Sequence, residues 1–237
     1  MKKRVCAIHQ PNFFPWFGYF DKIKRSNKFV ILDDVQFQKT GGTWMNRVAI
    51  NINGEKKWLT APIVRPSGLW KVNETKFHHA EWRDKIKKTI QINYAKCKYF
   101  KLHKNFIFEL IDFSSNKLVD YNVNAISKIC EFFGIDSKNK AIFSSSLNLS
   151  SSSTQLLIDI TNAAGCNIYM AGGGADGYMD INLFKKYNIM QIYQNFMHPV
   201  YEQYNTKNFI SGLSIIDYIF NVGLSQGNNF KKYQEVD

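Results

Sequence analysis

Two short runs with no polar face, "RVCAIHQ" and "KFVILDD", flank one helix-length stretch, "GYFDKIKRSN", and this arrangement constrains the chain more than any other feature. An apolar run without alternation predicts a strand buried on both faces. Two such strands joined by a helix predict a right-handed βαβ crossover in a parallel sheet. The strands then point the same way. His9 and Gln10 on the first and Asp33 and Asp34 on the second are expected together at the carboxyl edge, where open α/β sheets bind ligands.

The pattern then changes. In "WMNRVAINING" followed by "EKKWLTAPI", Asn53-Gly54 joins two alternating runs and predicts a β-hairpin, a side excursion over about residues 44–77. From "EWRDKIKKTIQ" to "SKICEFFGI" the period becomes 3.6, which predicts two or three helices inserted over about residues 80–135, with Asp120 as a cap and Gly134 as a stop. The α/β alternation resumes with "KAIFSSS" as strand, "SSSTQLLIDITNAAG" as a serine-capped helix, "CNIYMAGGG" and "NIMQIYQNF" as strands and "LSIIDYIFNVG" as a last helix. The expected fold is one α/β domain over residues 1–223, an open and mostly parallel Rossmann-like sheet carrying the hairpin and the helical insertion, with a frayed tail at residues 224–237.

Composition narrows the partners. Lys and Arg number 31 against 19 Asp and Glu, a formal charge of +12 that favours phosphates and polyanions, although many lysines lie in helical stretches and read as a solvated face. The 4 cysteines form no C-x-x-C pair and no zinc spacing, so buried reduced thiols in a cytoplasmic protein are expected and no metal motif is present. "MKKRVCAIHQP" is too short in apolar residues for a signal peptide, and no stretch approaches a membrane span.

Several residues carry chemistry by type and place. His9, at a strand end, can exchange a proton near neutral pH, and a carboxylate from Asp33 or Asp34 would fix its tautomer and raise its basicity. Pro11 and Pro15 hold the next loop out of helical geometry, so that Asn12 and some of its rings, Trp16 above all, are expected to face a ligand such as a sugar or base. Trp44, Asn46 and Arg47 precede the hairpin, and Arg47 is placed to attract a diphosphate. In "AGGGADGYMD" the glycines Gly172, Gly173 and Gly174 follow a strand and precede a helix, where backbone amides approach phosphates, with Asp176 and Tyr178 available to the same ligand. The stretch is neither a P-loop nor G-x-G-x-x-G. "HPVYEQ" offers His198, Tyr201 and Gln203 after another strand.

The blocks "HQPNFFPWFGYFDKI", "DDVQF", "WMNRVAI", "WLTAPI", "YMAGGGADGYMD", "HPVYEQ" and "LSIIDYIFNVG", in that order over residues 4–223, resemble the signature blocks of the WbqC-like protein family. Such proteins are typically encoded in bacterial clusters for O-antigen and other surface polysaccharides. The resemblance implies a cytoplasmic enzyme that modifies a nucleotide-linked amino sugar, by acyl or aminoacyl transfer from a coenzyme A thioester, an acyl adenylate or an aminoacyl-tRNA. The family supplies no agreed catalytic residue; on the reading of the residues themselves, His9 with Asp33 or Asp34 would be the catalytic groups. A fainter similarity to nucleotidylyltransferases of the HIGH type offers adenylate formation as an alternative, but Pro15-Trp16-Phe17-Gly18 stands where the second histidine of H-x-G-H would be. A non-catalytic module that binds a glycan precursor is the alternative from another class. Oligomeric state leaves no mark in the sequence.

Overall fold

The computed structural model describes residues 2–38, 44–173 and 179–223. Strand β1 (Val5–His9), helix α1 (Phe17–Arg25) and strand β2 (Lys28–Ile31) form the βαβ unit, with β1 and β2 parallel and His9 opposite Ile31. Strands β3 (Arg47–Ile52) and β4 (Glu55–Thr60) form the antiparallel hairpin. Its turn residues Asn53 and Gly54 both have positive φ, 52° and 81°, as the twist of a two-residue hairpin loop requires. Helices α2 (Trp82–Tyr94), α3 (Phe100–Ile111) and α4 (Leu118–Phe132) follow. Strand β5 (Ala141–Phe143), helix α5 (Ser153–Ala163), strand β6 (Ile168–Ala171), helix α6 (Ile181–Lys186), strand β7 (Met190–Tyr193) and helix α7 (Ile215–Asn221) complete the order.

The main sheet is wholly parallel, with strands in the order β5-β2-β1-β6-β7. Because the pleat alternates, Ala7, Phe29 and Ile31 point into one core, shared with α1, the hairpin, α2 to α4 and α7. Cys6, Ile8 and Val30 point into the other, beneath α5 and α6. All four cysteines are free and buried. Among the described residues no helix is long and apolar enough to cross a membrane.

One buried side chain ties the helices to the sheet's loops. Asn122, in α4 and inaccessible to solvent, donates its amide to the carbonyls of Pro11 at 2.8 Å and Met45 at 2.7 Å.

Two expectations need correction. Asp120 is not the cap of α4, which starts two residues earlier after Lys117; the carboxylate lies in the first turn, where it still complements the helix dipole. Ser152 occupies the N-cap of α5, but its side chain makes no capping bond. The chain winds outward from β1 through β2 to β5 and then crosses back to β6 on the other side of β1. The switch point therefore lies between β1 and β6, so the crevice runs from the ends of β1 and β2 on past β1 to β6.

Candidate active site

Two cavities open at that switch point. One, of about 1050 Å³, runs past Gln10, Asp34, Gln36, Lys71 and residues 149–154. The other, of about 350 Å³, lies under Trp16, Tyr19, Gly173, Asn195 and Phe196. His9, Lys22 and Gly172 line both, so these three residues form the wall between them.

His9 is the last residue of β1, held in register by the Leu32 amide on its carbonyl at 2.9 Å. Its Nδ1 lies 3.1 Å from the carbonyl of Gln10, which also accepts the Tyr19 hydroxyl at 3.0 Å. A carbonyl only accepts, so Nδ1 carries the proton and Nε2 is the acceptor. Burial, then the charge of Lys22, lower the imidazolium pKa to about 3, with the Gln10 carbonyl opposing them. The ring is neutral.

The carboxylates do not reach it. Asp33 is buried and accepts from the Ser145 amide at 3.0 Å, the Ser145 hydroxyl at 2.8 Å and the Ser144 hydroxyl at 3.0 Å, while Ser144 also contacts Asp34. Of the pair, only Asp34 lines the large cavity. The tautomer of His9 is therefore set by a backbone carbonyl and not by Asp33 or Asp34. The serines that take up those carboxylates follow β5, more than a hundred residues away in sequence.

Lys22 went unremarked in the sequence, where a lysine in a helix reads as solvated. It is 3 % exposed, and its Nζ has one long hydrogen bond, 3.4 Å to the carbonyl of Ile8. Among the described residues no carboxylate lies within ion-pair reach of it. Desolvation lowers its pKa to about 8. The sequence carried no signal for it: Phe17, Tyr19, Phe20 and Ile23 share one side of α1, and Lys22 lies on the other with Gly18, Asp21 and Arg25, the side on which a lysine is expected to meet solvent.

The aromatic loop is mostly core. Phe13, Phe14, Phe17 and Phe20 are fully buried, and Phe13 lies parallel to Tyr121 at 6.0 Å. Trp16 does line the smaller cavity, but its indole lies against the backbone of Gly18, where a Cβ would come within 2.3 Å of the ring. Its other neighbours are His198, at 6.2 Å, and the edge of Phe196, at 5.1 Å. The loop's aromatics thus wall the cavity and do not offer it a broad stacking face. Asn12 is buried and lines neither cavity.

The remaining candidates divide. Gly172 and Gly173 lie at the crevice; Gly174, Asp176 and Tyr178 fall outside the described residues. Asn46 donates to the carbonyl of Ala61 at 2.9 Å and serves the hairpin. Arg47 stacks over Trp58 at 4.4 Å, and Trp44 meets the same ring edge-on at 4.9 Å, so Arg47 is not positioned to draw a diphosphate into either cavity. Tyr201 and Gln203 donate to the buried carboxylate of Asp217 at 2.8 and 2.9 Å, and fasten their segment to α7. His198 donates to the Pro199 carbonyl at 3.1 Å, behind Trp16. Among the described residues no group of three or more histidine, cysteine or acidic side chains gathers as a metal site.

Comparison with known proteins places this arrangement. A Mycobacterium tuberculosis (strain ATCC 25618 / H37Rv) protein, named Uncharacterized protein Rv1507c, is 28% identical over 227 residues, covering 94% of this chain and 95% of the relative. No solved structure matches. The sequence profile of the WbqC-like protein family matches residues 10–229, a span that holds the hairpin, helices α1 to α7 and the crevice lining from Gln10 onward, with His9 immediately before it. The chain belongs to the WbqC-like protein family.

Proposed function

We propose that this chain is a cytoplasmic transferase that forms an amide on a nucleotide-linked amino sugar, in the making of O-antigen or another surface polysaccharide. The observation that carries the reading is the wall between the cavities, where a neutral imidazole with its acceptor nitrogen unprotonated stands beside a buried ammonium that has no counter-ion among the described residues. A cavity of about 1050 Å³ is large enough for a nucleotide sugar, and the smaller one suits an acyl group.

The sugar amine attacks the acyl carbonyl, a C–N bond forms, the bond to the donor's leaving group breaks, and the proton lost by nitrogen passes to His9 Nε2. With its pKa lowered to about 3 by burial and by Lys22, His9 alone is too weak a base for this. An anionic substrate beside Lys22 offsets the charge that depresses the imidazole, so its proton affinity climbs as the substrate binds. Correct substrate then switches on its own base.

The test incubates dTDP- and UDP-amino sugars with acetyl-CoA or with aminoacyl-tRNA and follows the sugar by mass spectrometry. Amide formation that falls at least a hundredfold in His9→Gln, with affinity for the sugar nucleotide little changed, is the expected result. A tRNA donor would lose affinity steeply between about 50 and 200 mM salt, whereas a thioester would not. A sugar that is bound but unaltered with every donor makes the chain a non-catalytic binding module.

A further inference from the structure

The serines at the start of α5 have no use in the fold that accounts for their number. Ser151 donates to Asp159 at 2.6 Å, and the Thr154 hydroxyl accepts from the Asp180 amide at 3.1 Å. The side chains of Ser152 and Ser153 make no hydrogen bond among the described residues, although Ser152 holds the N-cap position. The first amides of an 11-residue helix are thus left without a side-chain cap, and they open on the larger cavity. Lys22 reaches the same cavity from the opposite layer, through the switch point. Among the described residues this ammonium has no counter-ion; burying such an ion costs several kcal/mol when it is fully removed from water, and an anionic ligand would offset that cost. Asp34 is the acidic exception on this wall, and the Ser144 hydroxyl engages it.

We propose that this end of the cavity is a diphosphate subsite, in which the first-turn amides of α5 and the hydroxyls of Ser152 and Ser153 hold one phosphate and Lys22 Nζ holds the other. Positive helix dipole, free donors and a buried cation converge there. The subsite deepens the reading of the crevice as a nucleotide-sugar site and rests on it for the identity of the natural ligand. It replaces Arg47 as the source of charge for the diphosphate.

Titration calorimetry with inorganic pyrophosphate, UDP and uridine tests it on the whole chain. Pyrophosphate and UDP bind, and uridine binds at least tenfold more weakly. The Ser152→Ala/Ser153→Ala double variant weakens pyrophosphate and UDP about tenfold. Ser152→Asp supplies the missing cap and so raises the melting temperature, yet its carboxylate repels phosphate and abolishes pyrophosphate binding. That opposition separates a lost site from a lost fold. Uridine binding as tightly as UDP, wild-type affinity in the double variant, or no pyrophosphate binding to the wild type overturns the subsite. If serine-dependent pyrophosphate binding is found and no amino sugar is ever altered, the transferase reading falls and the subsite stands. If the double variant still modifies the sugar at wild-type KM, the subsite falls and the transferase stands.

Discussion

Helices α7 and α1 each bury an ionisable group against the core, and they treat it in opposite ways. Asp217 in α7 is inaccessible to solvent and receives hydrogen bonds from Tyr201 and Gln203. Burial still pushes its pKa upward, and those donors pull it back. Lys22 in α1 is almost as deeply buried, and its only partner among the described residues is a distant carbonyl. Its neighbour Asp21 shows that α1 can pair a charge when the fold uses it: Gln194 donates to one carboxylate oxygen at 2.9 Å and Arg25 stands 3.4 Å from the same oxygen. A paired buried charge joins segments of the chain. An unpaired one lowers stability, and it is tolerated where a ligand supplies the partner.

This contrast can be broken experimentally. The largest effect concerns His9, which belongs with Lys22 on the open side. Its pKa is lowered when folded, so the unfolded chain binds the extra proton. Stability is full above the ordinary histidine pKa and is lost as pH falls from about 6.5 to about 3. Denaturant titrations across that window should lose roughly 4 kcal/mol more in the wild type than in His9→Gln. Parallel curves would mean that His9 is not buried as a neutral ring.

Next comes Asp217→Ala, which leaves the Tyr201 hydroxyl buried without an acceptor and the Gln203 amide with the Ile210 carbonyl alone, and should cost roughly 3 kcal/mol in urea unfolding. A cost under about 1 kcal/mol would remove the distinction between the two helices. Lys22→Met should move the other way, stabilising the protein by roughly 2 kcal/mol at pH 7 while abolishing pyrophosphate binding. Because the lysine pKa is lowered to about 8, the wild type should itself gain stability as pH rises from about 8 to 10.5, and the variant should not. The smallest effect is at the hairpin. Arg47→Ala loses a cation–π contact with Trp58, roughly 0.5–1 kcal/mol of stability, and should leave ligand affinity unchanged.

The backbone was more legible than the site. Strands β1 and β2 declare themselves because burial on both faces demands unbroken apolar runs, and the hairpin because Asn53-Gly54 suits the positive φ that its turn needs. Side-chain destinations are another matter. Asp33 is taken by serines that follow β5, and Tyr201 turns toward α7 and away from the crevice. Both outcomes depend on strand order, which local pattern does not encode. Lys22 was hidden because a lysine in a helix is nearly always at the surface. The serines before α5 read only as a helix cap because nothing in their composition says which cavity they border. His9, Gln10, Asp34, Gly172 and Gly173 do line the crevice because they stand at or just after strand ends, and the carboxyl edge is the one position a parallel sheet assigns from sequence order alone.

The amide of Asn122 has a bearing on any attempt to shorten the protein. With one nitrogen it grips the stretch after His9 and the stretch before the hairpin, so the helical block braces the mouth of the crevice from behind. Excising residues 80–135 to obtain a minimal sheet would leave the carbonyls of Pro11 and Met45 stranded and let the loop behind the imidazole slacken.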